Sequence, residues 1–598
     1  MLTSPSFEKA VLVTDDTIIA AMISSLFRRK KHYFPVLDGP RMTRPDADNE
    51  ILRRRNSIKM IRPQQVLLAR LNSEATHALH SGWNNCTVSD IYDEHLQALH
   101  GIKNKPVGKL RWGFSNLGVG LYKARLEGKE LHLDLESSPQ QNVVKRGSHL
   151  LVACELGNEL SEIVASNLAF ACDASYAVFP ELHETDRTDW IEQIYALGEN
   201  GYQSVEFNSI VDKARIHLEP IELTHYKTVL FITAGFPWGI ILPQQPTTHM
   251  YRYPDFTRNI VEGVWASQSP SLSARTALLI DPNTVAGSEI PTIKKALNKN
   301  GTLTRLAQGP SAIGVFLQFL LDLLPHDVIV FSSHAGDAPG KRITYQYIDT
   351  DGKQRNLTVD QATGCCHDPF NDKYIVTEYY RFHSLDGIDW RDNAGKAALP
   401  VGSALTTWGE MDKKTRKKYI INEEQLSRVI GSMGIRLYND EIWLFTSHGF
   451  GPGSVPVIFN NSCWSWHELS ERVTFAGARA YIGTLFPITD IEAQEIGQSL
   501  FSKHIGKELA QALWLAQRDV YGSSDRRPYV MVGLPFVSIR INRVNSQAFL
   551  ERAYIDAIAH WSSQARNSPH QEIRNDAKRI LRFLIADLES YRNRNIID

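Results

Sequence analysis

The sequence has few cysteines, no long apolar run and almost no net charge. Its 598 residues include 6 cysteines with no disulfide framework, which favours a reducing cytosol and a cytoplasmic location. Because no apolar run is long enough to cross a bilayer, neither a membrane span nor a signal peptide is expected. The formal net charge of -1 excludes a bulk attraction to nucleic acid or to an anionic membrane.

The length predicts several domains, because a single hydrophobic core stops growing well below 598 residues. Residues 1–265 have the pattern of a mixed α/β region, with strand-like runs at 10–14 and 149–153 and a division into two subdomains near residue 145. A Ser- and Pro-rich stretch at 267–273 predicts a domain boundary. Residues 546–598 predict a charged helical segment.

Residues 270–545 alternate between strand-like and helix-like patterns, which predicts a doubly wound, mostly parallel α/β sheet. Two runs at 343–348 and 356–359 flank an Asp-Gly turn and predict a hairpin. The aperiodic, charged stretch at about 361–420 is interpreted as an inserted loop or lid. A helix is predicted to follow it over 423–432.

Two predicted strands of this region end in residues with catalytic chemistry. The run at 455–459 leads to Cys463, and the run at 328–331 leads to His334. If these strands are parallel neighbours, the thiol and the imidazole lie at one edge of the sheet, as the parts of a cysteine nucleophile and its base. A helix with Ser465 at its N-cap would point its amides at the sulfur. The small residues Ala335 and Gly336 would let backbone amides reach a developing oxyanion.

The segment around Cys463 resembles the CHAT-domain peptidases, which are caspase-like relatives of separase. The resemblance covers roughly residues 275–545 and is strongest after the cysteine. The residues that carry it are NSC at 461–463, AGARAYIGTLFPITD at 476–490, Ala512, Leu513, Ala516, Gln517 and VGLP at 532–535. It implies a caspase-like fold and a His-Cys dyad, with Cys463 as nucleophile and His334 as base and acid. It also implies no metal or organic cofactor.

This sequence departs from the family pattern at the histidine. Ala335 rather than glycine follows His334, and the chain between the dyad members is longer than is usual in the family. Ser447-His448-Gly449 matches the family motif more literally, which makes His448 the alternative base. Too few residues separate it from the run at 455–459 for a parallel crossover. A hairpin is therefore expected there, with His448 at the opposite end of the sheet from Cys463.

The resemblance implies a cysteine endopeptidase that acts on a protein substrate. The N-terminal region would bind an activating ligand or a partner protein, in a setting such as prokaryotic antiviral defence. The alternative is a catalytically silent scaffold of the same fold that binds a protein partner. Asp368, Asp372 and Arg381 in the insertion are candidates for substrate contacts.

Two further motifs suggest other chemistry and are disfavoured. Cys365-Cys366-His367 lacks the spacing and the second ligand pair of a structural zinc site. The stretch at 335–341 resembles a phosphate-binding loop, but Arg342 stands where a Ser or Thr would bind magnesium, and a strand pattern follows. No metal site is therefore predicted.

Overall fold

The computed structural model of the chain describes most of its residues. The described residues are 2–42, 47–80, 83, 86–91, 106–134, 141–147, 149–197, 201–252, 254–268, 275–397, 399, 401–445, 449–540 and 546–595. They form a mixed α/β structure with one large, mostly parallel sheet and a separate antiparallel sheet.

The strands and helices are named here in chain order. The strands are β1 Ser6–Phe7, β2 Ala10–Val13, β3 His32–Tyr33, β4 Val36–Leu37, β5 Gln65–Ala69, β6 Thr87–Ile91, β7 Lys109–Trp112, β8 Glu130–Leu133, β9 Val143–Val144, β10 Leu150–Glu155, β11 Ser175–Phe179, β12 Thr228–Thr233, β13 Thr247–Tyr251, β14 Thr276–Asp281, β15 Leu303–Gln308, β16 Val328–Phe331, β17 Ala335–Gly336, β18 Gly340–Ile348, β19 Gln354–Asp368, β20 Lys373–Leu385, β21 Ile388–Asp389, β22 Ile420–Leu426, β23 Gly434–Arg436, β24 Ile442–Leu444, β25 Val457–Asn460, β26 Ala480–Thr484 and β27 Tyr529–Gly533. The helices are α1 Thr17–Leu26, α2 Ala47–Ile61, α3 Ser73–His80, α4 Leu117–Glu127, α5 Glu159–Ala171, α6 Glu184–Ala196, α7 Val205–His217, α8 Phe256–Gln268, α9 Ile290–Lys299, α10 Gly314–Leu323, α11 Asn393–Ala397, α12 Val401–Glu410, α13 Lys413–Lys417, α14 His467–Phe475, α15 Asp490–Gln498, α16 Leu509–Tyr521, α17 Ser546–Asn567 and α18 Gln571–Asn595.

The central sheet has eleven strands in the order β15-β14-β16-β25-β26-β27-β13-β12-β10-β11-β9. All its neighbours are parallel except β26 with β27 and β11 with β9. The pairing of His249 in β13 with Val532 in β27 joins strands from both halves of the chain. Most of the Ser- and Pro-rich stretch predicted as a boundary lies outside the described residues. The sheet itself runs on across the two halves.

Helices cover both faces of this sheet, as the predicted doubly wound pattern requires. Val328 and Val330 of β16 belong to one hydrophobic cluster, while Ile329 and Phe331 belong to the other. Helices α5, α9 and α16 contribute to the first cluster, and α7, α10 and α14 to the second. Because both faces are buried, a central strand such as β16 is a continuous apolar run, Val-Ile-Val-Phe, which is why this strand was recognisable in the sequence.

The stretch interpreted as an inserted loop or lid instead contains strands of an antiparallel sheet, from the end of β19 through β21, followed by the short helices α11, α12 and α13. The predicted hairpin is present as β18 and β19, and β19 continues to Asp368 and pairs with β20 along its length. The helix predicted over 423–432 is wrong, because β22 occupies 420–426 and pairs with β18. Backbone pairing at this sheet edge overrides the helical preference of its Glu and Gln residues.

The hairpin expected between residues 442–446 and 455–459 is also wrong. Strand β24 pairs with β19 and β23 in the antiparallel sheet, whereas β25 pairs with β16 and β26 in the central sheet. The short connection passes from one sheet to the other, so neither a crossover nor a hairpin is needed.

The two ends of the chain pack against this core. Near the N-terminus, β4, β2, β5 and β6 form a parallel sheet of four strands. At the other end, α17 and α18 form the predicted helical segment, with Tyr554 and Leu584 in the second core cluster.

Arg54 of α2 ties the N-terminal sheet to the rest of the protein. Its buried side chain contacts the Asp38 carboxylate, and its Nη1 lies 2.6 Å from Oδ1 of Asp255, just before α8. We expect Arg54→Ala to lower the free energy of unfolding by about 3–5 kcal/mol, because it leaves the buried Asp38 carboxylate without its ion-pair partner and removes one of the two that Asp255 has. Equilibrium urea unfolding would measure this. Lys59→Ala, at an exposed position of the same helix, should change the value by less than about 0.5 kcal/mol.

Candidate active site

His334 and Cys463 follow neighbouring parallel strands. In the pairing of β16 with β25, Phe331 lies opposite Asn460. His334 comes three positions after Phe331, and Cys463 comes three positions after Asn460, so both lie at the carboxyl edge of the sheet. The expected adjacency of these two strands is therefore confirmed. The catalytic roles of the two residues stay predictions.

The His334 imidazole is oriented by a backbone carbonyl. Its Nε2 lies 3.0 Å from the carbonyl oxygen of Thr284, in the segment after the neighbouring strand β14. A carbonyl oxygen only accepts hydrogen bonds, so Nε2 carries the hydrogen. In the neutral ring, Nδ1 then holds the lone pair, which is the arrangement that a general base requires.

The Cys463 thiol is half-buried at the junction of β25 and the segment that follows β26. Its Sγ lies 3.4 Å from the backbone nitrogen of Ile488 and 3.5 Å from that residue's carbonyl oxygen. The Ile488 N–H donates to the sulfur, a contact that also stabilises a thiolate. Ser465, predicted as an N-cap, instead donates to the Asn460 carbonyl and accepts from the Thr484 N–H. The prediction of that cap is wrong, since α14 begins at His467 with Trp466 before it.

A buried polar network lies beneath the two strand ends. The Glu289 carboxylate accepts from Ser332 Oγ at 2.9 Å and from Asn461 Nδ2 at 2.6 Å. The Tyr529 hydroxyl donates to Asn461 Oδ1. Ser332 comes two residues before His334, and Asn461 two before Cys463. This network therefore ties together the two chain segments that carry the candidate dyad. Sequence reasoning missed Glu289 because nothing local distinguishes it from any acidic residue at a helix start.

Tyr195, from α6 of the N-terminal half, bridges the same two segments. Its ring stacks on Trp464 at 5.3 Å between centroids, and its hydroxyl accepts from the Asp337 N–H at 2.7 Å. The Arg428 guanidinium lies 4.1 Å from the centre of the Tyr195 ring. Trp464 has a left-handed backbone with φ of 49°, which costs about 1–3 kcal/mol for such a residue, and the stack holds it there. No sequence signal could have identified this contact, because it joins residues distant in the chain.

The antiparallel sheet fixes the directions of the Ala335 and Gly336 N–H groups, which were predicted to bind the oxyanion. Arg436 N–H donates to the His334 carbonyl at 2.9 Å, so that pair is hydrogen-bonded. Bonded and non-bonded pairs alternate in an antiparallel ladder. The next pair, Ala335 with Ile435, is therefore non-bonded, and the Ala335 N–H points away from β23. The Gly336 N–H points toward Gly434 in the ladder.

The alternative base, His448, lies outside the described residues. The segment just after it is near the amino edge of the central sheet, opposite the Cys463 edge. Gly451 N–H donates to the Leu321 carbonyl at the end of α10, and Ser454 Oγ donates to the His326 carbonyl just before β16.

The other candidates from the insertion have structural partners. Asp368 pairs with Arg579 of α18 at 2.9 Å, and Asp372 lies 3.1 Å from the His367 ring. Arg381 is paired with Asp360 in the β19–β20 ladder. Nothing in these contacts supports the predicted role in substrate binding.

The metal and phosphate motifs gain no support from the fold. Across the described ranges, no group of three or more His, Cys, Asp or Glu side chains is arranged to hold a metal ion. The phosphate-loop-like stretch begins with β17 and leads into β18 rather than into a helix. None of the helices described above is both long and apolar enough to cross a membrane.

Comparisons with known proteins do not identify the chain. The sequence matches no protein-family model and no curated protein. The geometry of the candidate site and the resemblance of its motifs therefore remain as the guides to function.

Substituting Tyr195 tests whether it holds the two segments of the site. Tyr195→Ala removes both the stack and the hydroxyl, so amide hydrogen exchange should increase in residues 335–338 and in 463–466. Tyr195→Phe keeps the stack and loses the hydroxyl that accepts from the Asp337 amide, so the increase should be confined to the first segment. Exchange measured by mass spectrometry that is unchanged in both segments of Tyr195→Ala would rule out this role.

Glu289 gives the buried network a pH dependence. Burial raises the pKa of Glu289 above its ordinary value of 4.5, against the hydrogen bonds from Asn461 and Ser332 that lower it. The folded protein thus binds this proton more tightly than the unfolded chain does. The stability from this group is complete at low pH and is lost as pH rises through the raised pKa.

We therefore expect the free energy of unfolding of the wild type to exceed that of Glu289→Gln by an amount that shrinks as pH rises above 4.5. Urea unfolding at a series of pH values measures the difference. The exposed Glu495→Gln on α15 is the control and should show no such trend. An excess that grows with pH would contradict the assignment.

Proposed function

We propose that this protein is a cysteine endopeptidase of caspase-like fold, with Cys463 as nucleophile and His334 as base and acid. The observation that carries the proposal is the parallel pairing of β16 with β25, after which the two residues occupy equivalent positions at one sheet edge. The resemblance of the motifs after Cys463 to the CHAT-domain peptidases supports it.

The orientation of His334 suits the chemistry. With its Nε2 hydrogen donated to Thr284, Nδ1 would take the thiol proton as the sulfur attacks the scissile carbonyl carbon. The imidazolium would return that proton to the leaving amine, which completes the acyl-enzyme. Nδ1 would then take a proton from water as the water attacks the thioester, and would return it to the sulfur as the carboxylate product leaves.

The Ala335 amide is the better donor for the oxyanion of the two predicted. Its N–H points away from the antiparallel ladder, whereas that of Gly336 points into it. The Ala335 amide comes directly after the base, so it is carried on the same rigid segment. A donor held in this way stabilises the tetrahedral intermediate without reorganising.

The N-terminal half is proposed to control access to this site. Helix α6 contributes Tyr195 to the stack on Trp464, next to the nucleophile. Its Glu192 pairs with Arg428, which also pairs with Asp337. A ligand or partner protein that displaced α6 would therefore alter both segments that carry the dyad. A role in antiviral defence remains a prediction from the resemblance.

A catalytically silent scaffold is the second candidate. The observation in its favour is that the Cys463 thiol packs against the first hydrophobic cluster and contacts both the backbone nitrogen and the carbonyl oxygen of Ile488. A half-buried cysteine of this kind commonly serves as a small apolar residue.

A thiol-directed electrophilic peptide probe distinguishes the two. We expect the probe to form an adduct at Cys463 in the wild type, located by peptide mapping, and none in Cys463→Ala. His334→Ala should slow labelling by about 100-fold to 10,000-fold, because the base that generates the thiolate is lost. Mass spectrometry of an unstructured peptide library incubated with the same proteins would reveal hydrolysis and the cleavage site.

Cys365→Ala and His367→Ala are the matched controls, since both residues lie on β19 and should leave labelling unchanged. Labelling that persists in Cys463→Ala would refute the nucleophile. The absence of labelling in the wild type under any condition would favour the scaffold.

A further inference from the structure

A cavity lies at the amino edge of the central sheet, opposite the candidate active site. It has a volume of about 560 Å³. One wall is formed by α2 and α8 of the N-terminal half, and the other by residues 449–455, which lead into β25, and by Gly477 before β26. A volume in this range is typical of pockets for small organic ligands.

The charge of the lining favours an anion. Among the described residues that line this cavity, four have cationic side chains, namely Arg53, Lys59, Arg62 and Arg258, and one, Glu262, has a carboxylate. Arg53 and Arg258 are partly neutralised, because they lie near Glu50 and Glu262 respectively. Lys59 and Arg62 are exposed at the rim, where they would meet a ligand phosphate as it enters.

One residue that lines the cavity carries a buried acceptor. Glu262 receives a hydrogen bond from Arg258 Nε at 2.9 Å through Oε1. Its other oxygen, Oε2, is buried and has no hydrogen-bond partner among the described residues. Because an unsatisfied buried polar atom is costly, a donor that reached this oxygen, such as a hydroxyl or an amino group on a ligand, would stabilise it.

Apolar and aromatic surface completes the lining. Trp265 is half-buried in the wall, with Met60 and Phe450 nearby. A flat ring can stack on an indole of this kind. Gly449 leaves space on the opposite wall, since a Cβ placed there would meet only one atom, at 4.0 Å.

We infer that this cavity binds a nucleoside phosphate. The phosphate would contact the cationic rim, the base would lie against Trp265, and a ribose hydroxyl or an exocyclic amine would donate to Glu262. Inorganic phosphate would use only the rim and so should bind more weakly. A polynucleotide is disfavoured because the chain has no net positive charge to hold its backbone.

Binding is best measured in Cys463→Ala protein, so that the result does not depend on peptidase activity. The probes are ATP, GTP, cyclic AMP, NAD, inorganic phosphate and a single-stranded polynucleotide, and their binding is followed by equilibrium dialysis and tryptophan fluorescence. At least one nucleoside phosphate should bind, and should bind at least about tenfold more tightly than inorganic phosphate, a difference of about 1.4 kcal/mol. Trp265→Phe should remove the fluorescence change.

Charge reversal tests the location. Lys59→Glu combined with Arg62→Glu should weaken binding at least about tenfold, while Lys295→Glu at an exposed position of α9 should not change it. If the charge reversal impairs folding, the variant that combines Lys59→Gln with Arg62→Gln replaces it in the same measurement. Three results would overturn the inference: no nucleoside phosphate binds below about 1 mM, binding is insensitive to both pairs, or inorganic phosphate or a polynucleotide binds as tightly as any nucleotide.

Discussion

The parallel pairing of β16 with β25 is the constraint on which the rest of the site depends. Both strands lie inside an eleven-stranded sheet and are buried on both faces, so a shift of one residue would move every side chain to the wrong core. The register is therefore strongly specified. It brings Ser332 and Asn461 to opposite sides of the Glu289 carboxylate, and these bonds in turn hold the chain that leads to His334 and Cys463.

The two halves of the chain form one sheet rather than two tethered units. Strand β13 pairs directly with β27, and α6 contacts the segments that carry the candidate dyad. This continuity gives the N-terminal half a direct physical route to the site, through Tyr195. It also separates two surfaces of different chemistry. The carboxyl edge carries a thiol and an imidazole, while the amino edge carries a cationic cavity with a buried acceptor.

The sequence predicted buried elements more accurately than exposed ones. The strand predicted at 328–331 is β16 to the residue, and the strand-like runs at 10–14 and 149–153 lie within two residues of the bounds of β2 and β10. Each presents an apolar pattern that its surroundings reinforce. Strand β22 was missed because its Ile-Ile-Asn-Glu-Glu-Gln-Leu sequence carries no such pattern, and only pairing with β18 makes it a strand. The connection before β25 was misjudged because short loops can join different sheets as readily as neighbouring strands.

The sequence by itself determined the parallel α/β architecture and the two strand ends that carry His334 and Cys463. It could do so because buried strands and helix faces leave local apolar periodicities. Only the tertiary structure decided that Thr284 orients the imidazole, that Glu289 and Tyr195 tie the two segments together, and that α2 and α8 enclose a cavity with the β25 loop. These contacts join residues far apart in the chain, and the free energy that selects them arises only when the sheet brings them together.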